Sequence, residues 1–560
     1  MRIRPGRFAA PTPTRSALIS TPAPCPRLPA DQRLAGRGDL WILVSIAALC
    51  VLYFLAPNPR LDFSAFDTRD AESYLALSAS LVAGHGYTRN LDPNFYIPHT
   101  TWPPGLPLLL APFTLLSGVP VDLLLIKLGM IAFGVCGIAL AYLYARRMSP
   151  SPLVRAAVPL MLGLNPYYWQ FSRMTNSEMP TVAWSLVALL LADVGWARGA
   201  IRHRTALAFG LVCGFGMLIR GSFYGALFLP LLYIFVLRDE PVDLRRMTSR
   251  YLCYAVGFLL PFAGWVLRNS AIDRTHIGPD GMNQLAMVLR ERPVDPMSPF
   301  RSLEQTAADA IVGLEHGLYQ IPKSLLPGLW APGAWSALGH WSAPVGIALA
   351  VALVLFSLRT ARTLPLITMY GSMAALNVFY AAGAMARLWI PTACLLAMSL
   401  PLAAERLRVA LPRGVLTSLT GLALAALAAS LGAFIIAHER HPYRDPNYAA
   451  LADLFAEVRA RPALQGNVLT PNPQAFQLYT GLDAPMSAPG IGVAPHYAYV
   501  ILPSREWEAQ TMGGRVLERN GVWSLVALAT PVTLAEFREQ YNCALSALAS
   551  FAVVSNCLIQ

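Results

Sequence analysis

Charge is scarce in this sequence. Asp, Glu, Lys and Arg make up only 13% of its 560 residues, hydrophobic residues make up 55%, and the mean hydropathy is +0.47. That is too little charge to clothe a soluble chain of this length. Lysine is nearly missing: Lys127 and Lys323 are the only two, so the formal charge of +12 rests on arginine. The eight cysteines include no CxxC pair and no histidine partner at zinc spacing, which argues against a structural metal site. No secretory leader is legible. Residues 1–39 are rich in Pro and Ala and carry seven Arg against Asp31 and Asp39, without a short apolar core or a small-residue cleavage site. The two related halves of many transporters are missing too, since the chain shows no internal repeat.

What is abundant is apolar sequence in runs near bilayer length, about 20 residues for a helix. The runs predict spans near 40–57, 119–144, 153–171, 178–195, 205–220, 221–237, 251–267, 341–358, 363–381, 386–403 and 415–437, roughly eleven crossings. The shorter run 104–118 opens on paired prolines and predicts a re-entrant or interfacial segment. Net positive charge sits in the N-terminal tail and in alternate loops at 146–155, 197–204, 238–250, 359–362 and 404–413. This is the pattern of cytosolic loops, so the N-terminus is expected inside and the C-terminus outside. The same pattern argues against nucleic acid as the partner of all this arginine. The expected organisation is a disordered cytosolic tail (1–39), a membrane domain (40–437) and an extracytoplasmic α/β domain (438–560). Two outer segments are long, 58–103 and 268–340, and 311–330 is apolar enough to lie along the interface.

In the last domain, 448–459 has helical spacing, while 468–470 and 497–502 read as buried strands. Two strands flank Asn520-Gly521, a strong hairpin signal. Cys543 and Cys557 also fall here, where an oxidising compartment permits a disulfide that spacing alone does not establish.

The first outer segment holds the most chemistry. Asp67 and Asp70 precede Tyr74-Leu-Ala-Leu, and apolar residues at 75, 77, 81 and 82 predict a short helix lying on the membrane with acids at its N-terminal end. A helix dipole favours carboxylates there by roughly 0.3–1 kcal/mol, which is also the plain explanation for them. Arg220, Arg268 and Arg387 each fall at an expected outer end of a span. One such arginine alone reads as a snorkelling anchor; three on one face beside acids read as a site. Lys127 is expected well inside a span, where a charge costs about 2.5–3.5 kcal/mol, so it is expected to face protein. His85 and His99 are more simply loop polarity than ligands, and Tyr167-Tyr168-Trp169 reads as an interfacial aromatic belt.

Taken in order, these segments resemble the GT-C superfamily of glycosyltransferases. The similar branch is the bacterial one of protein O-mannosyltransferases and lipid A aminoarabinose transferases. The features that carry the resemblance begin with Asp70, Tyr74 four residues on, Gly84-His-Gly86-Tyr87 and Trp102-Pro-Pro-Gly-Leu-Pro. Asn176-Ser-Glu178, Leu218-Ile-Arg220, the run from Pro261 to Arg268-Asn269 and Met385-Ala-Arg387-Leu-Trp-Ile-Pro391 follow, with Asn472-Pro473 and Tyr479-Thr-Gly481 in the last domain. Gly221 and Leu388 stand where relatives often have Pro and Tyr.

The resemblance implies an inverting glycosyltransferase that moves a sugar from a polyprenyl phosphate to an envelope glycan, lipid or protein on the outer face of a bacterial inner membrane. It implies Asp70 as general base, with Asp67 the other candidate in the loop, and Glu178 as a second acid. Arg220, Arg268, Arg387 and Lys127 are the candidates for the donor phosphate. No cofactor is required by this chemistry, and a divalent metal has no ligand spacing to support it. An oligosaccharide ligase or polymerase is the nearest alternative, and a lipid or polysaccharide transporter the next.

Overall fold

The longest unbroken apolar runs become the longest helices, and prolines and asparagines set where the others break. The computed structural model describes residues 69–88, 98–118, 120–197, 201–237, 243–272, 299–325, 341–358, 360–379, 386–405, 413–440, 446–460, 466–470, 473–480, 496–503, 515–519 and 523–533. It also describes scattered positions at 42–48 and residues 464, 482, 536 and 537. The expected tail and most of the first span, Asp67, Asn472, the Asn520-Gly521 turn, Cys543 and Cys557 lie outside these residues.

The chain opens with α1 (Arg69–Val82), α2 (Gly105–Ser117), α3 (Leu123–Met148), α4 (Pro152–Gly163), α5 (Pro166–Phe171), α6 (Glu178–Trp196) and α7 (His203–Ile219). A 3-10 segment, Gly221–Phe228, leads into α8 (Leu229–Phe235), followed by α9 (Leu244–Ala271), α10 (Leu303–Leu325), α11 (Ser342–Ser357) and α12 (Leu364–Phe379). The 3-10 turn Ala386–Trp389 opens α13 (Ile390–Ala404), and α14 (Arg413–Arg440) completes the helical part.

Four helices are long and apolar enough to cross a membrane: Leu123–Met148, Glu178–Trp196, Leu244–Ala271 and Arg387–Ala404. A fifth is added if Pro344–Ser357 and Ala361–Phe379, bent by 108°, count as one broken span. Among the described residues, length and composition alone therefore license fewer than eleven crossings. The reason is local. The run expected as one span over 153–171 ends at Gly163, and Asn165 caps a new helix by accepting from the N–H groups of Tyr167 and Tyr168. After Arg220 the chain winds as a 3-10 segment before α8 begins. Helix α2 has 13 residues, about 20 Å, too short to cross, as expected for 104–118.

Helices α7 and α9 pack backbone to backbone, and glycines permit it. A Cβ at Gly210 would lie 2.1 Å from Tyr254 O, one at Gly214 2.1 Å from Phe258 O, and one at Gly257 2.3 Å from Leu207 O. Small residues at helical spacing let two backbones meet where no hydrophobic effect drives association. The outward face of α9 stays apolar, with Leu252, Val256, Leu259, Leu260, Val266 and Leu267 exposed, a surface suited to lipid.

The polar ends of the bundle are distinct. Arg147 pairs with Asp193, and Arg362 Nη1 lies 3.0 Å from Glu405 Oε2. Along α6, Glu178 stands 15 residues from Asp193, about 22 Å; Arg387 stands 18 residues from Glu405, about 27 Å. Both separations approach the thickness of a bilayer core.

A second hydrophobic core follows, built by α15 (Pro446–Ala460), α16 (Pro473–Thr480) and a four-stranded sheet of β1 (Asn467–Leu469), β2 (His496–Pro503), β3 (Arg515–Arg519) and β4 (Trp523–Thr533). The strand order is β1-β2-β4-β3, with β1 parallel to β2 across α16 and the other pairs antiparallel. The helix and strands expected from the sequence all form. The sheet's core holds Leu454, Phe455, Val500, Ile501, Leu525 and Val526.

Candidate active site

Helix α1 is not a surface helix. Its positions 71–80 are all buried, and Leu75 and Leu77, expected to face lipid, are sealed within the protein, Leu75 in the main core and Leu77 with Tyr87, Leu218 and Trp265. The expectation missed this because Ser73, Ser78 and Ser80 make the opposite face look wet, whereas Ser78 bonds Thr114 at 2.9 Å and Ser80 bonds Thr88 at 2.5 Å. Gly105 allows the tight seat of α2 on the end of α7, since a Cβ there would meet the Leu218 backbone at 2.4 Å.

Four of the expected residues converge around this helix. Asp70, the second residue of α1, accepts from Arg387 Nη2 at 2.6 Å. Arg220, where α7 ends, donates from Nη1 to Glu178 Oε1 at 3.1 Å and to Ser177 Oγ at 3.0 Å. Tyr74 stands one turn beyond Asp70 on the same face and lies within electrostatic reach of both pairs. Burial pushes its phenol up, Asp70 and Glu178 add to the shift, and Arg220 and Arg387 oppose it. The Arg387 guanidinium is in electrostatic reach of both Asp70 and Glu178. The result is two carboxylates and two guanidiniums about a neutral, buried phenol.

The environments of the two acids differ. The Asp70 side chain is 26% exposed and that of Glu178 is 3% exposed. Glu178 Oε2 is buried without a hydrogen-bond partner. Arg387 is held by its own turn: Asn377 Nδ2 donates to Leu388 O at 2.8 Å, and Trp389 is buried against Gly317 of α10.

Arg268 stands next to this cluster, beyond Tyr87, and its donors go to the loop. Its Nη1 donates to His99 O at 2.5 Å and Asn269 Oδ1 at 2.8 Å, and its Nη2 to Tyr87 O at 3.1 Å. It also stands over the rings of Tyr87 and Trp265, at 5.7 and 5.1 Å. It thus staples the two ends of the first long loop to α9. His99 serves the same loop: its Nε2 accepts from the Trp102 N–H at 2.9 Å, so that nitrogen is unprotonated, and its ring stacks on Trp102 at 5.0 Å. Tyr87 completes the staple by donating its hydroxyl to Trp102 O at 2.9 Å; burial and the adjacent Tyr74 raise its phenol. Lys127 is buried, as expected, but as the fifth residue of α3 it lies closer to the helix start than predicted.

Tyr168 and Trp169 are fully enclosed rather than interfacial. The Tyr168 hydroxyl donates to Gly134 O at 2.7 Å, and Arg173 covers Trp169 at 4.0 Å. Ser177 was overlooked as an arginine partner, although it sits inside the Asn176-Ser-Glu178 segment that marked the place. Among the described residues, no group of three His, Cys, Asp or Glu is placed to hold a metal ion.

No protein-family model and no curated protein sequence matches this chain. Solved structures do. The crystal structure of ArnT from Cupriavidus metallidurans bound to undecaprenyl phosphate aligns with a TM-score of 0.59 at 14% identity, covering 88% of this chain and 98% of ArnT. The same protein in its apo state aligns with a TM-score of 0.57 at 12% identity over the same shares. ArnT is a lipid A aminoarabinose transferase of GT-C fold. At such low identity the likeness carries architecture alone: over nearly the whole chain this protein has the fold of ArnT.

Proposed function

We propose that this protein is a membrane glycosyltransferase that transfers a sugar from a polyprenyl phosphate, with Asp70 as general base. The observation that carries the reading is the convergence of Asp70, Glu178, Arg220 and Arg387 around Tyr74 at one end of a GT-C bundle. The ligand in the ArnT crystal, undecaprenyl phosphate, supports a lipid-linked donor.

The chemistry needs little acid catalysis, because a phosphate leaves as a stable anion. An acceptor hydroxyl attacks the anomeric carbon, the carbon–oxygen bond to phosphate breaks, and the hydroxyl proton passes to Asp70. Attack opposite the leaving group inverts the anomeric centre. A placed carboxylate contributes roughly 10²–10⁴-fold as base. Arg387 holds Asp70 at rest through one oxygen, leaving the other for the acceptor; Arg387 and Arg220 then face the charge growing on phosphate. Buried Glu178 fixes Arg220 and presents its second oxygen to substrate. Arg268 shapes the loop over the site instead of binding phosphate. The arginine-rich loops support a site on the outer face of the membrane, with an envelope glycan, lipid or protein as the acceptor.

Lipid extracts test this. A deletion strain is expected to accumulate a polyprenyl-phosphate sugar, and so is the deletion carrying Asp70→Asn at matched protein level. If the deletion accumulates the lipid but Asp70→Asn behaves as wild type, the base assignment fails. An unchanged lipid pool in the deletion removes the support for the donor.

A further inference from the structure

Hydrogen-bonding groups buried without partners are rare in folded proteins, and each calls for an explanation. Four belong to elements that carry the site or pack on it: Thr175 Oγ1, Glu178 Oε2, Gln320 Oε1 and Thr392 Oγ1. All four residues are buried, Thr175 completely and Gln320 least, at 9% exposure.

Their placement relates them. Thr175 precedes Glu178 by three residues in the connector that opens α6. Thr392 follows Trp389 by one helical turn on α13, and Arg387, at the head of that helix, is in electrostatic reach of Glu178. Gln320 follows Gly317 by one turn on α10, and Gly317 abuts the Trp389 ring. Farther along α10, Ser324 O accepts from Asn165 Nδ2 at 2.7 Å, so Gln320 lies between the head of α13 and the cap of α5. Helix α13 packs on α6, α5 and α10 alike.

Resting on the glycosyltransferase reading, we infer that these four groups form the subsite for the hydroxyls of the donor's sugar ring. A carboxylate oxygen, an amide oxygen and two hydroxyls match a polyhydroxylated ring, which brings both donors and acceptors. Thr392 lies five residues beyond Arg387 toward the interior, about 8.5 Å along the 3-10 turn and the start of α13. A ring attached to a phosphate held by Arg387 lies at that depth. The donor arrives from the membrane, so the sugar lies on the bundle side of the arginines and the acceptor approaches from the loop side.

The test uses the full chain in nanodiscs and two apolar replacements of similar shape, Thr392→Val and Gln320→Met. The probes are undecaprenyl phosphate and undecaprenyl-phosphate sugars carrying a neutral hexose, a pentose or an amino sugar, with binding read by native mass spectrometry. Wild type is expected to prefer one glycosylated lipid over the bare one. Each variant is expected to bind bare undecaprenyl phosphate as wild type does and the preferred lipid about tenfold more weakly. Its melting temperature should hold or rise, because an unpaired buried polar atom has been removed. Variants that keep the full sugar preference overturn the subsite, since water alone then fills the place. Variants that lose both lipids together, or melt earlier, overturn it in favour of a structural role. Wild type that binds no polyprenyl phosphate at all refutes the functional reading itself, a distinct outcome.

Discussion

Asp70 and Glu178 are carboxylates with the same kind of partner, an arginine, yet burial separates what each loses on neutralisation. The Asp70–Arg387 pair keeps more contact with solvent, at 26% and 19% exposed, so neutralising Asp70 strands a less desolvated partner. Asp70→Asn is therefore expected to lower turnover by about 10²–10⁴-fold with a smaller fall in melting temperature than neutralising Glu178 gives. Glu178 and Arg220 are 3% and 12% exposed. Neutralising one partner strands the other as a buried charge, at a cost of about 3–5 kcal/mol. Glu178→Gln is expected to lower both turnover and thermal stability. Turnover and melting curves on the two variants decide this, and the opposite order of melting temperatures refutes the division of roles. These residues were legible because each occupies a motif position at a helix end. Arg268 was legible as a position but not as a role, since only the folded loop shows carbonyls at Tyr87 and His99 claiming its donors.

At the scale of elements, the arginines are placed by a glycine seam. Helix α7 ends at Arg220 and α9 carries Arg268 in its last turn, and the two helices touch through Gly210, Gly214 and Gly257. A Cβ at Gly214 would lie 2.1 Å from a carbonyl oxygen, backbone that cannot turn aside as a side chain can. Gly214→Val is expected to force the helices apart, lower the melting temperature and reduce turnover, although residue 214 touches no substrate. Wild-type stability in that variant, measured in the same detergent, contradicts the seam. The loop staple gives a companion prediction: Arg268→Gln should speed proteolysis within residues 85–102, read by the position of the first cleavage. Helix existence was well marked by apolar runs, with α6 expected over 178–195 and found at Glu178–Trp196. Breaks were not. Asn165 reads as a loop residue until its side chain is seen capping α5. Pairing of helices was hidden as well, because the glycines that permit it are spaced along two distant segments.

Across the whole molecule, the two hydrophobic cores meet on α16. Phe476 belongs to the core of the sheet, whereas Leu478, two residues on and so about 200° around the helix, joins the core of the bundle. The Val121 N–H donates to Leu478 O at 2.8 Å, and α16 packs on α1, the helix that carries Asp70. The last domain therefore packs directly on the helix that carries Asp70. The sequence showed Tyr479-Thr-Gly481 as a matched segment and the sheet as strands, but nothing in a lone Leu marks it as joining the core that holds α1 and Val121, more than 300 residues away. Removing that side chain empties a site that is 1% exposed, and Leu→Ala changes in such sites cost about 2–5 kcal/mol. Leu478→Ala is expected to lower the melting temperature and to reduce turnover by loosening α1. Phe476→Ala, on the other side of the same helix, should disturb the sheet's core first. The two effects separate by limited proteolysis: Leu478→Ala exposes the segment before α2 while the sheet resists cleavage, and Phe476→Ala does the reverse. Identical fragments from both variants show that the two cores unfold as one unit, and undiminished stability in Leu478→Ala shows that the domain does not brace the site.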